Sequence, residues 1–245
     1  MFRLKRTLTA GIWIIFSQAL PGQHHYNAWF RTTVSYPLST KIRVDAELQH
    51  RRQNGYDNRN MFDKELMFTF RSWVYYQHTE TVRFSLSPFA CFSHYRIIQN
   101  KGDDMAKPSG EIRFSAAVDL QNRILRNLYI MSRAALEYRV FESDQAGISR
   151  VRNRLGLRYD LTNTVSLTLY DELFCNLAGA DSKHFFDHNR AGVSMGYLLH
   201  SGLTLDIGYI HISRLPLSNE TRLHESNIFL NLTYRCRQFR QKKAG

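Results

Sequence analysis

Polar and apolar residues alternate with a period of two along most of the chain, in segments of about ten residues. The stretch Lys41–Arg51 is the clearest case, because Ile42, Val44 and Leu48 alternate there with charged or polar residues. Successive side chains of a β-strand point to opposite faces, so such a stretch has one apolar and one charged face. A helix would scatter the same charges around its circumference. The pattern therefore predicts a protein built of two-faced β-strands.

The alternating pattern recurs in eleven segments, and the connections between them are alternately short and long. The segments are 28–37, 40–52, 64–77, 81–97, 111–121, 127–141, 148–160, 164–177, 188–199, 203–214 and 226–237. Short turns at one end and long polar loops at the other are typical of an up-and-down antiparallel transmembrane β-barrel. Single-chain bacterial barrels usually have an even number of strands. We therefore expect an all-β barrel of about twelve strands, the additional one formed near Gln23–Ala28 or merged into one of the segments.

A soluble β-barrel or sandwich is the competing architecture, with the apolar face inside and the charged face outside. Segments of 10–15 residues exceed the strands of about 5–6 residues usual in globular sheets, and suit a tilted strand that crosses a bilayer. Aromatic residues, among them Trp29, Trp73 and Tyr75, gather near segment ends, where the interface girdles of a membrane barrel would lie. Both features favour the transmembrane barrel.

The first 22 residues have the three parts of a secretory signal peptide. A basic start with Arg3, Lys5 and Arg6 precedes a mostly apolar stretch that ends in small residues near Gly22. We expect residues 1–22 to be removed, leaving a single barrel domain over 23–245 with a short basic tail. Cleavage would remove three basic and no acidic residues, so the formal charge of +12 would become +9. Export also makes nucleic acid a poor candidate partner for this basic chain.

Several short motifs resemble the outer-membrane barrels called domain of unknown function 2490. They are Ala28-Trp29 at the start of the first strand, RVDAELQHR in the second, EYR at 137–139, RNRLGLRYDL at 152–161, YDELF at 170–174 and GYLL at 196–199. The resemblance spans essentially all of Trp29–Arg235. It implies an outer-membrane barrel in a Gram-negative envelope, inserted by the barrel-assembly machinery and surrounded by membrane lipid. It brings no activity and no site residues. Such barrels commonly end on an aromatic residue, whereas here a basic tail follows Tyr234, with Phe239 as the alternative terminal aromatic.

If the apolar face meets lipid, the charged face lines the interior of the barrel. The inward residues that we expect to form a charge network are Arg43, Asp45, Glu47, Arg71, Arg113, Arg133, Glu137, Arg139, Arg152, Arg154, Arg158 and Glu172. Arginine suits multiply hydrogen-bonded pairs with carboxylates, so a structural network filling the lumen is one interpretation. A narrow channel for small solutes, with a preference for anions, is the other.

Two further functions stay open from the residues alone. His211 and Ser213 share a strand face and are the candidates for a barrel enzyme acting on phospholipid or lipid A, although no third catalytic member is evident. A soluble exported β protein binding acidic polymers is the other. No spacing of Cys, His, Asp or Glu indicates a metal site, and no motif indicates a cofactor. Strict alternation also places Asp171 on the lipid face, so we expect it near the outer rim or beside a β-bulge.

Overall fold

A computed structural model describes residues 24–143, 146–215 and 222–237 of the chain. The strands are β1 (His24–Pro37), β2 (Ile42–Gln53), β3 (Lys64–Gln77), β4 (Val82–His94), β5 (Ser109–Leu125), β6 (Leu128–Phe141), β7 (Ile148–Asp160), β8 (Val165–Ala178), β9 (Phe186–His200), β10 (Leu203–Arg214) and β11 (Leu223–Arg235). Short 3-10 helices occupy Asp103–Met105 and Ser182–His184. The predicted signal peptide at 1–22 and the tail with Phe239 lie outside the described residues. None of the helices within the described ranges is long and apolar enough to cross a membrane.

The strands form a closed barrel in which each pairs antiparallel with the next in sequence. The prediction of an all-β barrel is confirmed, and each of the eleven sequence segments forms one strand. The stretch that we considered for an additional strand belongs mostly to β1, which begins at His24. An up-and-down path with eleven strands leaves the first and the last running in the same direction. The barrel therefore closes through a parallel pair between β1 and β11.

The apolar face of each strand points out of the barrel, and the charged face points into the lumen. Leu155, Leu169 and Met195 are each more than half exposed on the outside, whereas Glu137 and Glu172 are almost completely buried inside. A soluble barrel needs the opposite arrangement, because apolar surface is costly in water. An apolar exterior with a polar interior is the arrangement of a transmembrane barrel.

Two aspects of this face assignment differ from the sequence expectation. Trp29 and Trp73 are only 4% and 5% exposed, and an arginine guanidinium group stacks over each ring inside the lumen. The ring of Tyr75 is also stacked by an arginine there, so none of the three belongs to a lipid-facing girdle. Asp171 faces outward in the middle of β8, not at the rim, and the β8–β9 irregularity lies beyond it. Its Oδ1 accepts a hydrogen bond of 2.7 Å from the side chain of Asn189, which lowers the cost of placing a carboxylate there.

The parallel seam between β1 and β11 is reinforced by side chains inside the barrel. Asn27 donates from Nδ2 to Glu225 Oε2 and to Asn227 Oδ1, both at 2.9 Å. Asn227 in turn donates to the main-chain oxygens of Ile210 and Glu225. Parallel pairing is slightly less stable per residue than antiparallel pairing, and no hairpin joins these two strands. The buried amide and carboxylate groups therefore stabilise the parallel pairing of β1 with β11.

Replacing Asn227 with Leu is expected to weaken this seam by about 1–3 kcal/mol, because it removes three buried hydrogen bonds and leaves polar partners unsatisfied. The matched control is Asn231→Leu, since Asn231 lies on the same face of β11 and its side chain makes no hydrogen bond among the described residues. The measurement is the urea concentration at which the compact, heat-modifiable gel band is lost from protein folded in lipid vesicles. Equal midpoints for the two variants would show that the seam does not depend on Asn227.

Candidate lumen site

Alternation along each strand places the charged residues of the lumen in rows that run along the inner face of the strands. Arg150, Arg152 and Arg154 follow one another on the inner face of β7, while the intervening Val151 and Asn153 point outward. Residues directly opposite on neighbouring strands come close enough for their side chains to pair. The register sets Glu137 of β6 opposite Arg150 and Glu172 of β8 opposite Arg154. The rows of β6, β7 and β8 therefore join into one network.

Glu137 is the centre of this network. Its carboxylate lies 2.6 Å from a guanidinium nitrogen of Arg150, 3.1 Å from one of Arg152 and 3.7 Å from one of Arg113. The Glu137 side chain has no solvent exposure. A buried carboxylate is costly unless cations and hydrogen bonds surround it, and here three arginines do so.

Two further buried carboxylates extend the network on either side. Glu172 pairs with Arg152 at 2.7 Å and with Arg154 at 3.0 Å. Glu111 pairs with Arg113 at 2.6 Å and with Arg139 at 2.9 Å. Most of these arginines either pair with two carboxylates or pair with a carboxylate that a second arginine also contacts. The pairs therefore form a continuous network from β5 to β8 and not a set of isolated salt bridges.

A second cluster fills the lumen near the short turns, on the side of β2 to β6. Arg133 donates to both carboxylate oxygens of Asp119 at 2.8 and 2.9 Å. The ring of Tyr75 lies under two guanidinium groups, with Cζ of Arg43 at 4.3 Å and that of Arg83 at 4.9 Å. These stacked planar groups project into this part of the lumen and narrow it.

Of the twelve residues expected in the charge network, eleven make a salt bridge. In addition to the pairs above, Arg43 pairs with Asp45 at 3.0 Å, Glu47 with Arg31 at 3.6 Å and Arg158 with Asp160 at 3.1 Å. Arg71 is the twelfth, and it lies over the rings of Trp73 and Phe92 instead.

Sequence reasoning missed three carboxylates of the network. Glu111 precedes Arg113 by two residues and so continues the inner row of β5, which is the signal that would have found it. Glu225 stands in the same relation to Asn227. Asp187 pairs with Arg150 at 2.7 Å from the irregular start of β9, where simple alternation gives no guide.

A cavity of about 550 Å³ lies in the lumen. Its walls hold five acidic residues, Glu47, Glu172, Asp187, Asp206 and Glu225, and ten arginines, Arg31, Arg51, Arg71, Arg113, Arg139, Arg150, Arg152, Arg154, Arg190 and Arg214. Glu111 and Glu137 lie behind this surface and neutralise two more of the arginines. Of these ten arginines, Arg51, Arg71 and Arg190 make no salt bridge with a described residue. The lumen therefore carries an excess of positive charge.

A recess of about 660 Å³ opens at the end of the barrel that carries the short turns. Ser166, Gly196 and Thr204 line it, and the next inward residues along the same strands, Thr168, Ser194 and Asp206, line the cavity above. Recess and cavity are therefore adjacent layers of the lumen on the side of β8 to β10. Small side chains at this boundary leave the two spaces separated by little bulk.

The long β4–β5 loop (residues 95–108) covers part of the lumen at the opposite end. Gln53 at the end of β2 is almost completely buried and holds the loop, since its Nε2 donates to Arg96 O at 2.7 Å and its Oε1 accepts from Ile98 N at 3.2 Å. Within the loop, desolvation acts to raise the pKa of Asp103. Hydrogen bonds from the main-chain N–H groups of Gln99 and Asn100 outweigh it and hold that pKa below its ordinary value.

The candidate enzyme residues lie outside the lumen. His211 and Ser213 face outward on β10, where they alternate with the inward residues Ile210 and Ile212. The register places Ser213 opposite His224, whose ring stacks on that of His211 with a centroid distance of 5.6 Å. The pair therefore shares a face, as alternation predicts, but that face is separate from the arginine-rich cavity.

Comparisons with known proteins concern the fold and the family. A family model described as protein of unknown function (DUF2490) matches residues 26–221. No curated protein sequence matches the chain. Among solved structures, the chain is similar to the NanC porin, with 9% identity and a TM-score of 0.47 over 76% of this chain and 86% of that one. It is also similar to the anion-selective porin from Comamonas acidovorans, with 7% identity and a TM-score of 0.35 over 81% of this chain and 55% of that one.

Proposed function

The chain belongs to the family described as protein of unknown function (DUF2490), and we propose that its barrel lies in a Gram-negative outer membrane and acts as a narrow channel that favours anions. The apolar exterior supports contact with membrane lipid, and the closed sheet leaves no unpaired edge within the bilayer. The barrel-assembly machinery is the partner that we expect during insertion.

The observation that carries the channel proposal is the excess of arginine around the cavity. Charged side chains that line a confined passage attract ions of opposite sign and repel those of like sign. Three arginines of the wall have no carboxylate partner among the described residues, so their positive charge acts on whatever occupies the cavity. The adjacency of cavity and turn-end recess supports a route for small solutes on the side of β8 to β10.

The same geometry argues for a small conductance. The cluster around Asp119 and Tyr75 narrows the opposite side of the lumen, and the β4–β5 loop reduces the outer entrance. A barrel of eleven strands lies between the eight-stranded barrels filled by side chains and the wide porins of 16–18 strands. The alternative of a purely structural envelope protein corresponds to complete closure of the remaining passage.

Purified protein in planar bilayers is expected to give small currents whose reversal voltage in a potassium chloride gradient has the sign for chloride. Arg71→Gln should reduce that voltage by roughly a third, because it removes one of about three excess positive charges without leaving a carboxylate unpaired. Arg123→Gln is the matched control, since Arg123 is exposed at the turn end of β5.

Three outcomes would contradict the proposal. Folded, heat-modifiable protein that carries no current would indicate the structural role. A reversal voltage of the cation sign would reject the anion preference. Absence of the protein from the outer-membrane fraction of the cells that produce it would reject the proposed location.

A further inference from the structure

Two arginine guanidinium groups lie over the same tryptophan ring in the cavity wall. Cζ of Arg51 lies 3.6 Å from the centroid of the Trp29 ring, and Cζ of Arg190 lies 5.6 Å from the same centroid. Arg190 is also held over the ring of Phe174 at 4.4 Å. The two cationic groups therefore lie within about 9 Å of each other, where their charges add to one positive potential.

The cross-strand register brings Arg51 to Trp29, while Arg190 reaches the same ring from across the lumen. Arg51 of β2 stands directly opposite Trp29 of β1. Arg190 projects from β9, with β10 and β11 between its strand and β1. Closing the sheet into a barrel is what brings the two arginines together.

Neither arginine makes a salt bridge among the described residues, and the acidic groups near them are already engaged. Glu172 stands opposite Arg190 in the register, yet it pairs with Arg152 and Arg154. Glu225 pairs with Arg214 at 3.0 Å. The Nε atoms of Arg51 and Arg190 have no hydrogen-bond partner in the described parts of the chain. Arg51 donates one side-chain hydrogen bond, from Nη2 to Gln49 Oε1 at 3.0 Å. Two like charges are therefore held together with part of their donor capacity unused by the described residues.

An apolar wall adjoins the two cations. Trp29, Ile210 and Phe229 form one buried cluster, and all three line the same cavity as the arginines. The cavity volume of about 550 Å³ lies within the range of small-molecule sites. Such a site offers charge-assisted hydrogen bonds at one end and apolar contact at the other.

We propose that Arg51, Arg190 and Trp29 form a binding site for a small organic carboxylate inside the barrel. The guanidinium fork matches a carboxylate, which can take up hydrogen bonds from both arginines and compensate their mutual repulsion. The apolar body of the ligand lies against Trp29, Ile210 and Phe229. This inference rests on the proposed function in one respect, because the ligand has to reach the cavity through the lumen.

Calorimetric titration of the full barrel in detergent micelles with benzoate tests the site. Benzoate is expected to bind at one site per barrel, and to bind at least ten-fold more tightly than inorganic phosphate, which has no apolar body. Arg51→Gln and Arg190→Gln should each weaken benzoate binding at least ten-fold. Arg123→Gln should bind as the wild type does, and empty micelles give the background. Arg51→Lys, which keeps the charge but loses the fork, is the second variant should Arg51→Gln not fold, and it should also bind more weakly.

The titration does not depend on conduction, so the site and the channel can fail separately. Benzoate binding by a barrel that carries no current would reject the channel and support the site. Absence of benzoate binding to the wild type, or equal binding by phosphate, would overturn the site whatever the currents show. Unchanged affinity in both folded arginine variants would do the same.

Discussion

Glu137→Gln is expected to lower the free energy of unfolding by about 3–5 kcal/mol, the cost of removing one partner from a buried ion cluster. Glu137 lies within hydrogen-bonding or ion-pairing distance of Arg150, Arg152 and Arg113, and its side chain has no exposure. Glutamine keeps the shape but not the charge, so three guanidinium groups lose part of their compensation in a region that water reaches poorly. The measurement is the urea midpoint of the heat-modifiable band in lipid vesicles.

Asp160→Asn is the control for this prediction. Asp160 pairs with Arg158 at 3.1 Å, but both side chains are about one-third exposed at the turn end of the lumen. An exposed pair contributes about 1 kcal/mol or less, so the midpoint should change little. Equal losses of stability in Glu137→Gln and Asp160→Asn would mean that the interior is hydrated throughout. The charge network would then not stabilise the barrel as a buried core does.

Met195→Arg is expected to lower the free energy of unfolding by about 2–4 kcal/mol, because it places a charge on the lipid face in the middle of β9. Met195 is half exposed, and its register neighbours Leu167 and Ile207 are apolar. The adjacent Ser194 points into the cavity, so Ser194→Arg adds the same charge to the lumen and should leave stability nearly unchanged.

This pair of variants tests which face meets lipid. A large loss of stability for Ser194→Arg together with a small loss for Met195→Arg would show that the apolar face lies inside the barrel. That result would support the soluble architecture. The comparison is independent of any current or ligand, so it separates the question of the fold in the membrane from the question of function.

Alternation was sufficient to predict the strands and the inner rows, since the two-residue period follows from strand geometry alone. It also predicted that Arg152, Arg154 and Glu172 point the same way. The parity of Trp29 matches that of Arg31, so its inward position was available from the same rule. Its position near a segment end, the signal that favours a girdle, gives the wrong face for this residue.

Other features depend on the closed barrel and could not be read from single strands. The contact of Arg190 with Trp29 crosses the lumen and requires the curvature of the whole sheet. The parallel pairing of β1 with β11 follows only once the number of strands is known. The position of Asp187 depends on an irregular register between β8 and β9, which period-two patterning does not describe.

The inward position of Trp29 and Trp73 makes the barrel's own fluorescence a reporter of its interior. These are the two tryptophans of the described residues, and both lie in the lumen beside guanidinium groups. In most membrane barrels indole emission senses the lipid interface, where such residues gather. Here brominated lipids should quench these indoles weakly, while iodide that enters the lumen should quench Trp29 directly. Emission from this protein therefore follows the contents of the barrel and not the state of the bilayer around it.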